Sequence, residues 1–171
     1  MTRRLPNSVR PVRPRPEQES VWDYPRPPAL VSSPRRVVVR WGDSVVADST
    51  AAFRVLETSH PPNWYIPRTD VNFGVIKRSA ARSTMCEWKG AATYWDVVDG
   101  NDQQLQAVGW SYETPTPRFI PITGYLAFMA GLLDCTVDGE RVLPQSGGFY
   151  GGWITADVVG PFKGEPGSWG W

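Results

Sequence analysis

Apolar and polar positions along the chain change period often and in short runs. RRVVVRWGDSVVADS (35–49) places two β-branched runs on either side of Gly42-Asp43, the two-residue connection that a type II′ hairpin favours. AAFRVLE (51–57) fits a strand or one helical turn, since Phe53 and Val55 alternate with Arg54 and Leu56 without deciding between them. VNFGVIK (71–77) reads as a strand. A second hairpin is predicted within residues 86–112, with ATYWDVV as one strand, DGND as the turn and QLQAVGWSY as the return. Alternation then puts Thr93, Trp95 and Val97 on one face and Tyr94, Asp96 and Val98 on the other. TPTPRFIPITGY (114–125) carries a helix start at Thr116-Pro117 and a stop at Gly124, with Pro121 keeping any helix short. YLAFM and LLDCTVDGERV (125–142) are strands with Asp138-Gly139 as a further hairpin turn. Eight or so short strands with one or two helical turns predict one mainly β domain.

The two ends read differently. VWDYPRPPALVSSP (21–34) is extended, because each residue before a proline is pushed to β or polyproline geometry. Its Trp22, Tyr24 and Leu30 would lay it against the domain as an arm. Residues 1–19 hold five Arg and four Pro against Glu17 and Glu19, too little apolar surface to offset the entropy of ordering them. They are expected to form a disordered basic tail, a solubilising arm before a recruiting segment. Residues 20–164 then form the domain: an extended arm at 20–36, a minimal domain at 37–134 and a Gly/aromatic closing segment at 135–164. Residues 165–171 are expected to be a flexible terminus.

Composition sharpens this picture. The 171 residues carry a formal charge of +1, and with +3 in the tail the rest is about −2, which argues against a nucleic-acid footprint on the domain. No apolar run approaches the length of a membrane span and no apolar stretch follows the N-terminal arginines, so a cytoplasmic protein is expected. Two cysteines without a C-x-x-C exclude a four-cysteine structural zinc site, and no cofactor is called for. Nine Trp with 17 Pro and 16 Gly suit a β fold with aromatic-lined concavities.

The candidate chemistry gathers around the single histidine, in ETSHPPNWYIP (57–67). Pro61 and Pro62 fix the backbone after His60, and a rigid mount suits a proton-transfer or hydrogen-bonding group. Glu57 would share a face with His60 on a helical turn and point away from it on a strand. In CEWK (86–89), strand alternation would put Cys86 and Trp88 on one side and Glu87 and Lys89 on the other. Lys89 could bind an anion or polarise a carbonyl, and a cation near Cys86 would favour its thiolate. The duller readings are a salt bridge for Lys89 and a small apolar role for Cys86. Cys135 sits in a plain alternating strand and is expected in the core. Among the aromatic residues, Tyr65, Trp88, Trp110 and Tyr150 are expected to face a pocket. In GGFYGGWITAD (147–157), Tyr150 would be the tip of a glycine-rich closure and Asp157 a fixed acid behind it.

Three stretches together, ETSHPPNWYIP, CEWKGAATYW and GGFYGGWITADVVGPFKG, with VWDYPRPP and WGDSVVADS, resemble the bacterial family called domain of unknown function 427. The resemblance covers about residues 20 to 164 and the long form of the family, with its N-terminal arm and Tyr-Gly-Gly-Trp segment. It implies a compact β-tent of two roughly orthogonal antiparallel sheets, the architecture of methionine sulfoxide reductase B and of the drug-binding domain of cereblon. Those relatives carry zinc on two C-x-x-C pairs, which this chain lacks. The family name also travels with a nucleotidyltransferase label, but no Gly-Ser followed by an Asp-x-Asp pair is present. Three functions stay open. The first is a pocket for a small organic metabolite with His60 and Lys89 at its polar edge. The second is a metal-independent enzyme that uses His60, with Glu57, Lys89 and Tyr150, for proton transfer, hydrolysis or cyclisation. The third is an interaction domain recruited through the Arg/Pro tail.

Overall fold

The computed structural model describes residues 5–171. Three antiparallel sheets carry the fold. The Gly42-Asp43 hairpin forms as the β-branched runs dictate, joining Val37–Trp41 to Ser44–Ser49. Gly42 supplies the positive φ of 55° that the tight turn needs. Asp134–Val137 pairs on the other side of Val37–Trp41, and Asp138 and Gly139 turn it back into Glu140–Arg141. The second four-stranded sheet runs in the order Leu126–Phe128, Gln104–Ser111, Thr93–Val98, Ile76–Arg78. A third sheet pairs Ala29–Ser33 with Ala52–Leu56 and Asn63–Tyr65. The expected arm at 20–36 thus contributes an integral strand over five of its residues, Ala29–Ser33, and 51–57 is a strand rather than a helical turn.

One apolar cluster joins these sheets, with Val37, Val39, Val46, Ile66, Val97, Leu126, Phe128, Cys135, Val137 and Trp153 all buried within it. Cys135 is 1% exposed, as its alternating strand predicts, and burial pushes its thiol up to about 12. Trp64 and Trp153 stack here at 6.2 Å, and Trp153 Nε1 donates to Phe128 O at 2.9 Å, satisfying the indole while its area is buried. A second cluster, which includes Val55, Tyr65, Tyr112, Phe119 and Ile122, lies beneath Trp88 and Trp110. Among the described residues the helical content is three 3-10 turns: Val21–Asp23, Arg68–Asp70 and Pro117–Ile122. No helix among the described residues is long and apolar enough to cross a membrane.

Three expectations need correction. Over its described part, residues 5–19, the tail lies against the domain: Val9 is buried, Val12 N donates to Gly160 O, and Glu19–Ser20 pairs in parallel with Val158–Val159. Residues 1–4 lie outside the described residues. The end of the chain is also anchored, since Ser168 is buried and Trp171 packs edge-on against Trp22. A few well-placed apolar and hydroxyl groups suffice where a neighbouring surface receives them. Finally, within CEWK only Cys86 is in a strand, and Glu87, Trp88 and Lys89 form a tight hairpin loop. Met85–Cys86 pairs with Gly90–Ala91, and Gly90 takes a φ of 103° to close the loop.

Candidate functional site

Eight of the nine sequence-predicted site residues line one cavity of about 560 Å³: Glu57, His60, Tyr65, Cys86, Trp88, Lys89, Trp110 and Tyr150. Asp157 does not. It accepts from Thr155 Oγ1 and binds Arg35 Nη1 at 2.8 Å. Burial opposes its charge, but Thr155 and Arg35 more than offset that and hold the carboxyl below its ordinary value. It ties the closing segment to Arg35 and the Asp138 turn.

Local geometry explains how Glu57 and His60 come together. His60 N donates to Glu57 O at 3.0 Å, closing a four-residue turn with Ser59 at a φ of 74°. A type II turn requires that sign at its third residue and normally places glycine there. Ser59 is buried, and its neighbours hold it: its N–H donates to Val21 O and its carbonyl accepts from Lys163 N. Neither the helical nor the strand alternative holds, and a turn sends both side chains to the cavity.

Gln145 sets the state of His60. Gln145 Oε1 accepts from Gly152 N at 3.1 Å, which fixes the amide so that Nε2 faces Lys163 O at 2.7 Å and His60 Nδ1 at 3.1 Å. The amide N–H can only donate, so Nδ1 accepts and Nε2 carries the imidazole proton. Burial, followed by the charges of Lys163, Arg26 and Lys89, holds His60 well below its ordinary value, at about 4. At neutral pH it is an uncharged ring with an Nε2–H donor, and the Tyr150 ring lies edge-on 5.1 Å away.

The hairpin loop delivers Trp88 and Lys89. Thr116, expected as a helix cap, makes no cap bond. Its Oγ1 donates to Trp88 O at 2.6 Å and its N–H to Lys89 O at 3.2 Å, so it pins the loop instead. The loop overturns the expected alternation: Cys86, Glu87, Trp88 and Lys89 all line the cavity. Lys89 is only 6% exposed. Its Nζ lies 5.6 Å from the Tyr112 ring centre and 5.7 Å from that of Phe119. Among the described residues no carboxylate lies within 4.0 Å of it. Burial opposes the charge, yet Tyr65, Cys86 and Glu57 nearby hold the ammonium above its ordinary value. It therefore stays cationic at neutral pH, which disfavours amine nucleophilic chemistry.

The walls are aromatic. Trp110 Nε1 donates to Tyr65 Oη at 3.1 Å, and Trp88 Nε1 donates to Glu57 Oε1 at 3.3 Å. Burial raises the phenols of Tyr65 and Tyr112, keeping both neutral. The glycine pair explains itself by contact: a Cβ on Gly151 would lie 2.1 Å from Trp110 Cη2, and one on Gly152 would lie 2.6 Å from Pro61 O. The backbone must approach this closely for Gln145 to reach His60. A bulge in Gln104–Ser111 adds Ala107 to the wall at a φ of 52°, braced by its N–H bond to Asp96 Oδ1 at 2.8 Å.

Sequence reasoning missed Gln145 and Lys163, and it left Tyr112 outside the site. Gln145 sits beside the Gly-rich stretch, where a lone amide gives no signal. Lys163 is brought in by the chain's return and has no spacing relation to His60. Cys86 lies at the cavity and Cys135 in the core, so the two cysteines are not brought together as a metal-ligand pair. Among the described residues no group of three or more His, Cys, Asp or Glu could hold a metal ion.

A family model described as a domain of unknown function (DUF427) matches residues 29–139. No curated protein sequence matches the chain.

Proposed function

For this chain, which belongs to the DUF427 family, we propose a binding role: the cavity holds a small organic molecule by an acidic or strongly accepting group. One observation carries the reading. Lys89 is a buried ammonium on an aromatic floor with no carboxylate within 4.0 Å among the described residues. Tyr65, Cys86 and Glu57 keep the ammonium charged despite its burial, but none of them forms an ion pair with it, which leaves its charge to be met by a ligand. A fold keeps such a group where a ligand supplies the missing charge. The aromatic walls supply flat apolar contact at low entropic cost.

Glu57, which the sequence suggested as a helper for His60, is engaged by Trp88 Nε1 and by Arg26 at 3.5 Å. The enzymatic alternative needs His60 to take up a proton. Its Nδ1 is occupied by Gln145 and its ring resists protonation down to about pH 4, so the donor role suits it better. Titration calorimetry with benzoate and hexanoate against the matching neutral amides tests the reading. The acids should bind at least about tenfold more tightly, a difference of about 1.4 kcal/mol, and Lys89→Met should abolish the difference. Equal affinity of acid and amide for the wild type would sink the proposal.

A further inference from the structure

Resting on that reading of the cavity, we infer that its ligand is an amphiphile: a carboxylic acid whose head meets Lys89 and His60 and whose extended apolar chain leaves across Met85, Leu132 and Phe149. Two independent features converge on this class.

The first is the polarity of the floor. Lys89 has only donors to offer. His60 presents Nε2–H, because Nδ1 already accepts from Gln145. The Tyr65 hydroxyl accepts from Trp110 Nε1 and has its own proton left to give. The wall's carboxylate, Glu57, is taken up by Trp88 and Arg26. Lys163 faces the cavity as well, but its Nζ donates to Trp171 O at 2.9 Å. The remaining acid, Glu87, is exposed at the mouth, where water screens it. A floor with spare donors selects a ligand group that only accepts, which a carboxylate does.

The second is the mouth. Met85 is 76% exposed, Leu132 59% and Phe149 80%, and all three line the cavity. They come from three separate segments: the Met85–Cys86 strand, the turn after Gly131 and the Gly147-Gly148 loop. Large apolar side chains gathered in water at the rim of a pocket mark a binding surface. Met adapts readily to an alkyl chain. A ligand confined to the floor would leave this rim unused.

Calorimetry on the full chain with straight-chain carboxylates from butanoate to decanoate, below their micelle concentrations, tests the inference. The triple variant Met85→Ser, Leu132→Ser, Phe149→Ser changes only exposed side chains, so the core stays intact. Wild-type affinity should rise about two- to fourfold per methylene, the upper figure being full burial of the group. The triple variant should flatten that rise and keep butanoate affinity within about twofold. Acids that bind with no dependence on chain length would overturn the amphiphile inference and leave the acid-binding reading standing. Failure of every acid to bind would overturn both.

Discussion

Lowering the pH should weaken this fold through His60, by an amount that follows from its surroundings. In the unfolded chain the imidazole takes up a proton near its ordinary value of 6.5, whereas in the fold it does so only at about 4. Between those values the unfolded state binds more protons, so stability is full above about pH 6.5 and falls as the pH drops toward 4. The full gap corresponds to about 3 kcal/mol, and the part lost between pH 7 and pH 5 is about 2 kcal/mol. Because His60 is the only histidine, its imidazole carbon–proton resonance needs no assignment, and its titration reads the native pKa directly. Urea denaturation at pH 7 and pH 5 reads the free energy. His60→Asn removes the titrating ring and controls for carboxylates that also respond near pH 5. The wild type should lose about 2 kcal/mol more than the variant over that interval. A native titration midpoint at or above 6, or equal pH dependence in the two proteins, would refute the reasoning and with it the neutral donor assigned to His60.

Four further outcomes follow from the geometry. Lys89→Met should abolish acid binding and lower the melting temperature slightly, because Tyr65, Cys86 and Glu57 hold the ammonium above its ordinary value; acid binding retained in the variant would show that the ammonium does not meet the ligand. Gly152→Ala should cost about 1–3 kcal/mol in urea denaturation, since its Cβ would meet Pro61 O and Gln145 Oε1 at 2.6 Å, and should shift the His60 resonance with it. Ser59→Gly should stabilise by about 1 kcal/mol, because it relieves a positive φ and removes a buried hydroxyl with no hydrogen-bond partner among the described residues; a destabilised variant would show that the turn is not strained. Asp157→Asn should leave acid affinity unchanged within about twofold and lower stability by about 1 kcal/mol, since its partners are Arg35 and Thr155.

Much of the strand order was legible because it rests on local chemistry. Gly42-Asp43 and Asp138-Gly139 announce hairpins, and Thr116-Pro117 announces a helical start, all of which form. Cys135 in the core follows from plain alternation. The pocket-facing aromatics were legible because Trp and Tyr cluster near His60 and Lys89. What failed depends on partners distant in sequence. The loop at CEWK turns because Thr116 captures two of its carbonyls. Asp157 looks like a site acid, but Arg35, 122 positions away, claims it. Residues 5–19 look incapable of ordering until Gly160 and Val158 offer them a surface. Gln145 decides the tautomer of His60 from 85 positions away, and nothing in its own neighbourhood says so.

Several departures from ordinary protein chemistry meet at the cavity, although Asp102 and Asp138 take positive φ elsewhere and Ile120, Leu143 and Trp169 are also exposed. Ser59 takes a glycine conformation immediately before His60. Ala107 does the same inside a bulge and needs a buried Asp96 to hold it there. Lys89 is buried without a carboxylate, and Met85 and Phe149 stand in water. The positive φ at Ser59 and at Ala107 each opposes stability by roughly 1 kcal/mol or more. His60, Ala107, Lys89, Met85 and Phe149 all line the same cavity. Local rules fail together where a fold serves something besides its own stability. The proposed acid binding would account for the ammonium, the fixed imidazole donor and the exposed rim with a single ligand, whereas a purely structural account needs a separate reason for each.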